Sequence, residues 1–237
     1  MSSKRLPETS PLVLIYGLSA NPVHQGHVDL MAQAYAGLRR LGKTLHRAVF
    51  VPVYRRNPVG SRKAGLPQTY EHRFAMCRLA AATVTERLAV PDDQVAVSRV
   101  EAHLAQGREA PNYTAETLGA LQREFVGRFE LAFLIGSELV GGGDPEFGHW
   151  HRVDLILERA ALVICPRPDH PPNFDFVQSL REQGGRVFWL RDVRTTDISA
   201  TELRARLVRG EAPRTLAEEG LLPLPIAEYL SRHPIYT

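Results

Sequence analysis

Short apolar runs alternate with longer amphipathic stretches along almost the whole chain, and this order limits the fold more than any other property of the sequence. The runs, at residues 12–18, 48–53, 95–98, 131–135, 161–165 and 187–190, are flanked by turn residues, as buried parallel strands are. Helical spacing of apolar residues predicts helices at 26–41, 70–88, 114–125, 150–159, 174–183, 199–208 and 216–232. The alternation therefore predicts right-handed crossovers and an α/β fold, with helices on both faces of a parallel sheet.

Length and composition exclude several classes of protein. The chain has 237 residues and a net charge of +3, without a basic tail, so nucleic acid is not the expected partner. A hydrophobic content of 44% supports a sizeable core, while the first apolar run is too short to span a membrane. Two cysteines do not make a disulfide framework. We therefore expect a cytoplasmic protein that binds neither nucleic acid nor membranes; a homo-oligomer is compatible with this.

The loop after the first predicted strand carries the first candidate site. Residues 19–27 read SANPVHQGH and lead into a predicted helix, with His24 and His27 at its start. Backbone N–H groups and the positive end of the helix dipole favour an anion there, and two imidazoles can donate hydrogen bonds to phosphate oxygens. The sequence contains neither a G-x-x-x-x-G-K-S/T nor a G-x-G-x-x-G motif. A chance pair of histidines and a metal-chelating pair both stay open as alternatives, although no Cys or Glu stands nearby at the usual metal-site spacing.

A second helix start follows the last predicted strand. Ser199 precedes Glu202 by three residues, the spacing of a capping box, which is itself a sufficient structural explanation for both residues. The same geometry places hydroxyl and N–H groups at a helix N-terminus, with Arg204 nearby. Two anion sites in one domain suit a polyphosphate better than a single phosphate.

These two motifs, in this order, resemble those of the nucleotidylyltransferase superfamily, and specifically its nicotinate (or nicotinamide) mononucleotide adenylyltransferase family. Residues 17–27 (GLSANPVHQGH) resemble the family pattern G-G/S-S/T-F-D/N-P-x-H-x-G-H, and residues 198–204 (ISATELR) resemble I-S-S/T-T-x-I/L-R. Softer likenesses lie between and after them: Y-T-x-x-T-L at 113–118, a strand end G-A/S-D at 136–138, a stacking tryptophan at 150, R-P at 167–168 and the C-terminal helix at 222–236. The likeness thus covers nearly the whole chain.

The resemblance implies a fold and a reaction. The fold would be a Rossmann-like doubly wound α/β domain at residues 1–195, with a small helical C-terminal subdomain at 196–237 packed on it as one structural unit. The reaction would join ATP to nicotinate (or nicotinamide) mononucleotide, giving the dinucleotide and pyrophosphate in NAD synthesis, with Mg²⁺ bound to the ATP phosphates. The alternatives are a cytidylyltransferase or a phosphopantetheine adenylyltransferase, a non-catalytic nucleotide-binding relative, or an aminoacyl-tRNA synthetase fragment, although a K-M-S-K-S-like loop is missing.

The resemblance also implies a role for each matching residue. His24, His27 and Arg204 would be the catalytic residues, acting on the phosphates. ATP would be bound at the strand ends and at the second helix start, by Gly17, Leu18, Ser19, Gly136, Glu138, Ser199 and Thr201. The pyridine mononucleotide would be framed by Thr114, Thr117 and Trp150, and no protein residue is expected to ligate a metal ion.

The chain departs from the family pattern at several positions. Leu18 stands in place of the second glycine, Ala20 in place of the usual Phe, and Glu138 in place of the Asp that holds a ribose hydroxyl. The predicted long loop at 54–68 also lacks the lysine of the family's P-H-K, for which the available replacements are Arg55, Arg56 and Lys63. These departures bear on which mononucleotide is used rather than on the fold.

Overall fold

The computed structural model describes residues 10–54, 68–125, 128–193 and 198–236. Within them, parallel strands form a single sheet in the order β3-β2-β1-β4-β5-β6. The strands are β1 (Leu12–Leu18), β2 (Leu45–Pro52), β3 (Val95–Val97), β4 (Glu130–Gly136), β5 (Ala160–Cys165) and β6 (Val187–Trp189). This is the doubly wound order, so the predicted Rossmann-like α/β class is confirmed. The order reverses between β1 and β4, where such sheets bind ligands beyond the carboxyl ends of their strands.

The helices follow the strands nearly where the apolar spacing placed them. They are α1 (Gln25–Arg40), α2 (Tyr70–Leu88), α3 (Val100–Leu104), α4 (Thr114–Glu124), α5 (Val153–Arg159), α6 (Phe174–Glu182), α7 (Ala200–Val208), α8 (Pro213–Glu218) and α9 (Leu224–Arg232). The short helix α3 has no counterpart in the prediction, because its five residues are too few to show a helical period.

Both faces of the sheet are buried, and the alternation of β1 shows why. Leu12 and Leu14 point into one apolar cluster, which includes side chains of α1 and α2. Val13 and Ile15 point into the other, beneath α4 and α5. Successive strand residues face opposite sides of a sheet, so a strand covered on both sides reads as a continuous apolar run.

Two predicted helix boundaries are wrong. The stretch 216–232 forms two helices rather than one, because Gly220 adopts a left-handed φ of +74° and Pro223 caps the start of α9. The predicted helix at 150–159 begins only at Val153, since Arg152 has a φ of +54° and cannot continue a right-handed helix.

The C-terminal helices pack against one helical face of the sheet, where α9 contacts α2. Leu203 of α7, Leu216 of α8 and Ile226 of α9 are buried in the same cluster as Val28 of α1. The proposed boundary between residues 195 and 196 and most of the predicted loop at 54–68, including Arg55, Arg56 and Lys63, lie outside the described residues. In the part of the chain that is described, no helix has both the length and the apolar character needed to cross a membrane.

Candidate active site

The loop after β1 turns sharply at the carboxyl edge of the sheet. Gly17 is exposed there, whereas the side chain of Leu18 is buried in the core, so only the backbone of Leu18 is placed to meet a ligand. Ala20 is buried with a left-handed φ of +53°, a conformation that disfavours a large side chain. The small residue that departs from the family pattern therefore suits the turn that the chain makes here.

His24 and His27 lie against each other at the start of α1. Their ring centroids are 3.6 Å apart, and the backbone N–H of His24 donates to Nδ1 of His27 over 3.1 Å. Because Nδ1 accepts this bond, the proton of a neutral His27 ring is assigned to Nε2, which becomes the donor. Other backbone donors of this helix start are also engaged: the N–H of Gln25 donates to the carbonyl of Leu221, between α8 and α9, and the N–H of His27 donates to the carbonyl of His24.

The second predicted motif lies beside the first. Ser199 is the N-cap of α7, and its hydroxyl accepts the backbone N–H of Glu202 at 3.4 Å, so the capping interpretation of Ser199 is confirmed. Arg204 donates to the carbonyl oxygen of Asn21 at 2.7 Å and to Oγ1 of Thr201 at 3.0 Å. One guanidinium thus joins the loop after β1 to α7, across 183 positions of sequence.

The ends of β4 and β5 form the next part of the edge. Arg167, after β5, donates to Oε1 of Glu138 at 3.3 Å, and its backbone N–H donates to the Ser137 hydroxyl at 2.8 Å. Oε2 of Glu138 is buried and has no hydrogen-bond partner among the described residues. A Cβ on Gly136 would lie 2.0 Å from that oxygen, so a larger residue here would displace the end of the Glu138 side chain. Burial, followed by the charge of Glu138, raises the pKa of Tyr16 in β1.

The three predicted mononucleotide residues lie around the start of α4. Thr114 is the first residue of α4. The preceding ring of Tyr113 lies against His151 at a tilt of 32°, with centroids 4.2 Å apart, which brings the Trp150 segment next to the helix. Trp150 packs against Phe147, with centroids 5.3 Å apart. The hydroxyl of Thr117 is buried and donates to Oε1 of Glu101 at 2.6 Å. Thr117 therefore stabilises α4 from the buried side of that helix.

The structure adds residues that the sequence prediction missed. Arg73 and Glu101 are buried charged side chains next to these loops, and Tyr236 donates its hydroxyl to Oδ1 of Asn21 at 2.7 Å. Arg73 stands four residues before the core residue Cys77, so a charge on the buried face of α2 was the available signal. Tyr236 lies in the C-terminal stretch that resembles the family, but its contact with Asn21 has no signal in the sequence, because the two residues are 215 positions apart.

The chain is similar to known proteins along most of its length. The profile of the cytidylyltransferase-like family matches residues 15–206. A Klebsiella pneumoniae protein named as a probable nicotinate-nucleotide adenylyltransferase is 29% identical over 97% of this chain and 99% of its own length. The nicotinate-nucleotide adenylyltransferase of Salmonella typhimurium is 28% identical over 95% of this chain and 98% of its own.

A solved structure shares the fold. The Plasmodium falciparum nicotinic acid mononucleotide adenylyltransferase complexed with NaAD superposes with a TM-score of 0.67 at 16% identity, covering 95% of this chain and 97% of that one. Since the family profile extends from β1 into α7 and so includes both predicted phosphate motifs, the chain belongs to the cytidylyltransferase-like family of nucleotidyltransferases.

Proposed function

We propose that this protein is an adenylyltransferase that joins ATP and nicotinate mononucleotide, forming the dinucleotide and releasing pyrophosphate. The observation that carries the proposal is the bond from Arg204 to the Asn21 carbonyl, because it ties α7 to the loop that leads into α1, beside the reversal of strand order. The N-termini of α1 and α7 and the imidazoles of His24 and His27 suit the phosphates of a nucleoside triphosphate. The names of the relatives from Klebsiella and Salmonella support a pyridine mononucleotide as the second substrate.

The reaction needs positioning and charge stabilisation more than a strong base. The 5′-phosphate of the mononucleotide is already an anion at neutral pH, and it would attack the α-phosphorus of ATP in line with the departing pyrophosphate. In this proposal Nε2–H of His27 donates to the α-phosphate, while Ser199, Thr201 and Arg204 hold the β- and γ-phosphates. A guanidinium has five N–H donors, so the two bonds that fix Arg204 do not exhaust it.

The remaining predicted residues would bind the two nucleosides. Gly17, Leu18 and Ser19 would offer backbone groups to ATP, and the buried Oε2 of Glu138, beside Gly136, would accept a ribose hydroxyl. Thr114 and Trp150 would border the pyridine ring. Thr117 would act indirectly, by fixing the position of α4 through its hydrogen bond to Glu101.

ATP would enter as its magnesium complex. Among the described residues no group of three or more His, Cys, Asp or Glu side chains could hold a metal ion. Magnesium keeps several waters and commonly binds through phosphate oxygens, so an ion carried by the nucleotide needs no protein cage. We expect chelation by EDTA to abolish turnover and added Mg²⁺ to restore it, whereas turnover in metal-free buffer would contradict this part of the proposal.

A pyrophosphate-release assay tests the function. The protein would be offered ATP with nicotinate mononucleotide, nicotinamide mononucleotide or phosphopantetheine in parallel. Each mixture would then be repeated with CTP in place of ATP. The proposal expects pyrophosphate with ATP and nicotinate mononucleotide, and a dinucleotide product by mass spectrometry. CTP binding without ATP binding would identify a cytidylyltransferase, while ATP binding without pyrophosphate from any mixture would identify a non-catalytic relative.

A further inference from the structure

Arg73 joins three segments of backbone beneath the candidate site. Its side chain is 1% exposed and donates to carbonyl oxygens of Ser19 after β1 (3.2 Å), of Val53 and Tyr54 (3.2 Å) after β2, and of Gln68 before α2 (3.3 Å). A planar guanidinium with several fixed donors is the side chain suited to several carbonyls at once. Arg73 therefore sets the orientation of peptides in the loops after both β1 and β2.

Glu101 approaches the same backbone from the other side. This carboxylate, 6% exposed, accepts the backbone N–H of Tyr54 at 3.2 Å, the amide of Asn112 at 3.1 Å and the hydroxyl of Thr117 at 2.6 Å. Asn112 lies just before α4 and Thr117 lies within it, so Glu101 connects the end of β2 to the wall that borders the predicted mononucleotide site.

The peptide between Val53 and Tyr54 is thus held at both ends. Its carbonyl accepts from the cationic Arg73, and its N–H donates to the anionic Glu101. In a trans peptide these two groups point in opposite directions, so the peptide dipole lies along the field between the two charges. Buried charges are tolerated only when they are hydrogen-bonded in this way.

We propose that Arg73 and Glu101 are positioning residues that couple the two halves of the active site through this single peptide. Arg73 sets the loop that precedes His24, by way of the Ser19 carbonyl, and Glu101 sets the start of α4. A displacement on one side passes to the other through the Val53–Tyr54 peptide. The inference rests on the proposed function for its substrates. The bridge itself, meaning the bonds from Arg73 and Glu101 to the Val53–Tyr54 peptide, concerns only this chain's own contacts.

Kinetics on Arg73→Lys and Glu101→Gln test the coupling. Glu101→Gln keeps the size of the side chain but places an amide donor among three donors. We expect the KM for the mononucleotide to rise about tenfold or more, and the KM for ATP to rise with it, by a smaller factor, through the shared peptide. Arg73→Lys cannot reach all the carbonyls, so both KM values are expected to rise. The double variant is expected to lose less than the product of the two single effects, because both act through one peptide.

A second ion pair, in which the carboxylate is buried and the guanidinium is partly exposed, provides the control. Glu130, 7% exposed, accepts from Arg186 at the opposite, amino-terminal edge of the sheet. Glu130→Gln and Arg186→Lys are expected to lower thermal stability while leaving both KM values at the wild-type level. If the Arg73 and Glu101 variants behave in the same way, or if their effects multiply fully, the positioning role is wrong.

Hydrogen exchange separates this inference from the proposed function. The amide of Tyr54 is expected to exchange faster in Glu101→Gln and in Arg73→Lys, and to stay protected in the two control variants. If the wild-type protein releases no pyrophosphate, the proposed function fails, while Tyr54 exchange and the affinity of Arg73→Lys for ATP still decide the bridge. Unchanged exchange at Tyr54 in both variants would overturn it.

Discussion

His27 is held in one tautomer by a single backbone bond, and this makes it the most specific residue of the candidate site. The N–H of His24 occupies Nδ1, so Nε2 is the side of the ring that can donate to a ligand. The adjacent ring of His24, 6% exposed, limits how far His27 can rotate. A donor fixed in this way before substrate arrives needs little reorganisation during reaction.

Replacement of His27 tests this assignment. We expect His27→Ala to lower kcat by about 10²-fold or more, the scale for loss of one preorganised donor to a developing charge. The measurement is steady-state pyrophosphate release, with circular dichroism to verify folding. His103→Ala, which removes an exposed imidazole from α3, serves as the control and is expected to keep wild-type turnover. A folded His27→Ala enzyme with a near-normal rate would exclude the phosphate role.

The two cysteines are predicted to be chemically inert in the folded protein. Burial, with a further contribution from the charge of Glu138, raises the pKa of the Cys165 thiol to about 12, and burial likewise raises the pKa of Cys77. Since the thiolate is the reactive form, both side chains remain protonated and inaccessible at neutral pH. Titration with a thiol reagent should detect almost no thiol in native protein and both thiols in denaturant; rapid native labelling would contradict the structure.

Among the secondary-structure elements, helix α4 begins at a cap that contains the charged carboxylate of Glu116. Glu116 accepts the backbone N–H of Tyr113 at 3.0 Å and pairs with Arg108 at 3.3 Å. Burial acts to raise the pKa of Glu116, but these two partners outweigh it, and the pKa is lowered from its ordinary value of 4.5. A carboxylate with a lowered pKa contributes stability above its unfolded pKa, and this contribution is lost as the pH falls through the folded value.

We therefore expect Glu116→Gln to destabilise the protein at pH 7 and to make little difference at a pH below the folded pKa. Urea unfolding at several pH values between 7 and 3 measures the difference in the free energy of unfolding. Glu124→Gln, at the other end of the same helix, is the control, because a negative charge near a helix C-terminus is unfavourable and its removal should not destabilise. An equal loss for Glu116→Gln at every pH would contradict the charged cap.

Elements also show how far prediction from sequence reaches. The predicted strand at 12–18 and the predicted helix at 70–88 match β1 and α2, because long periodic stretches carry their own signal. The predicted helix at 216–232 failed at Gly220, where one left-handed residue outweighs an apolar period that continues on both sides. Trp150 was likewise placed inside a predicted helix, whereas the left-handed Arg152 delays the start of α5 to Val153.

At the scale of the whole molecule, the last described residue, Tyr236, contacts the loop after the first strand. The hydroxyl of Tyr236 donates to Oδ1 of Asn21, and both residues are buried, so the C-terminus supports the first loop of the sheet. Gln68 also donates to the carbonyl of Ile235, which ties the same segment to the start of α2. The C-terminal segment is therefore part of the environment of the candidate active site.

Removal of the Tyr236 hydroxyl tests whether this contact supports the loop after β1. We expect Tyr236→Phe to cost about 1–3 kcal/mol of unfolding free energy, since it leaves a buried acceptor without this donor, and to raise the KM for ATP. Tyr229→Phe loses a comparable bond, to Nδ1 of His72 at 2.8 Å, but away from the loop after β1, and should leave the KM for ATP unchanged. Equal kinetic effects from the two variants would show that the Tyr236 contact has no particular role.

The sequence by itself determined the α/β class, the positions of the strands and the two motifs around His24 and Arg204, because each of these depends on spacing within a few turns of chain. Only the tertiary structure decided that Arg204 meets the Asn21 carbonyl, that Arg73 and Glu101 hold one peptide between them, and that Tyr236 completes the first loop. These contacts join residues far apart in the chain. Which residues meet depends on how the helices cross and pack on the sheet. Local hydrophobic periodicity reports the elements but not the way in which they pack together.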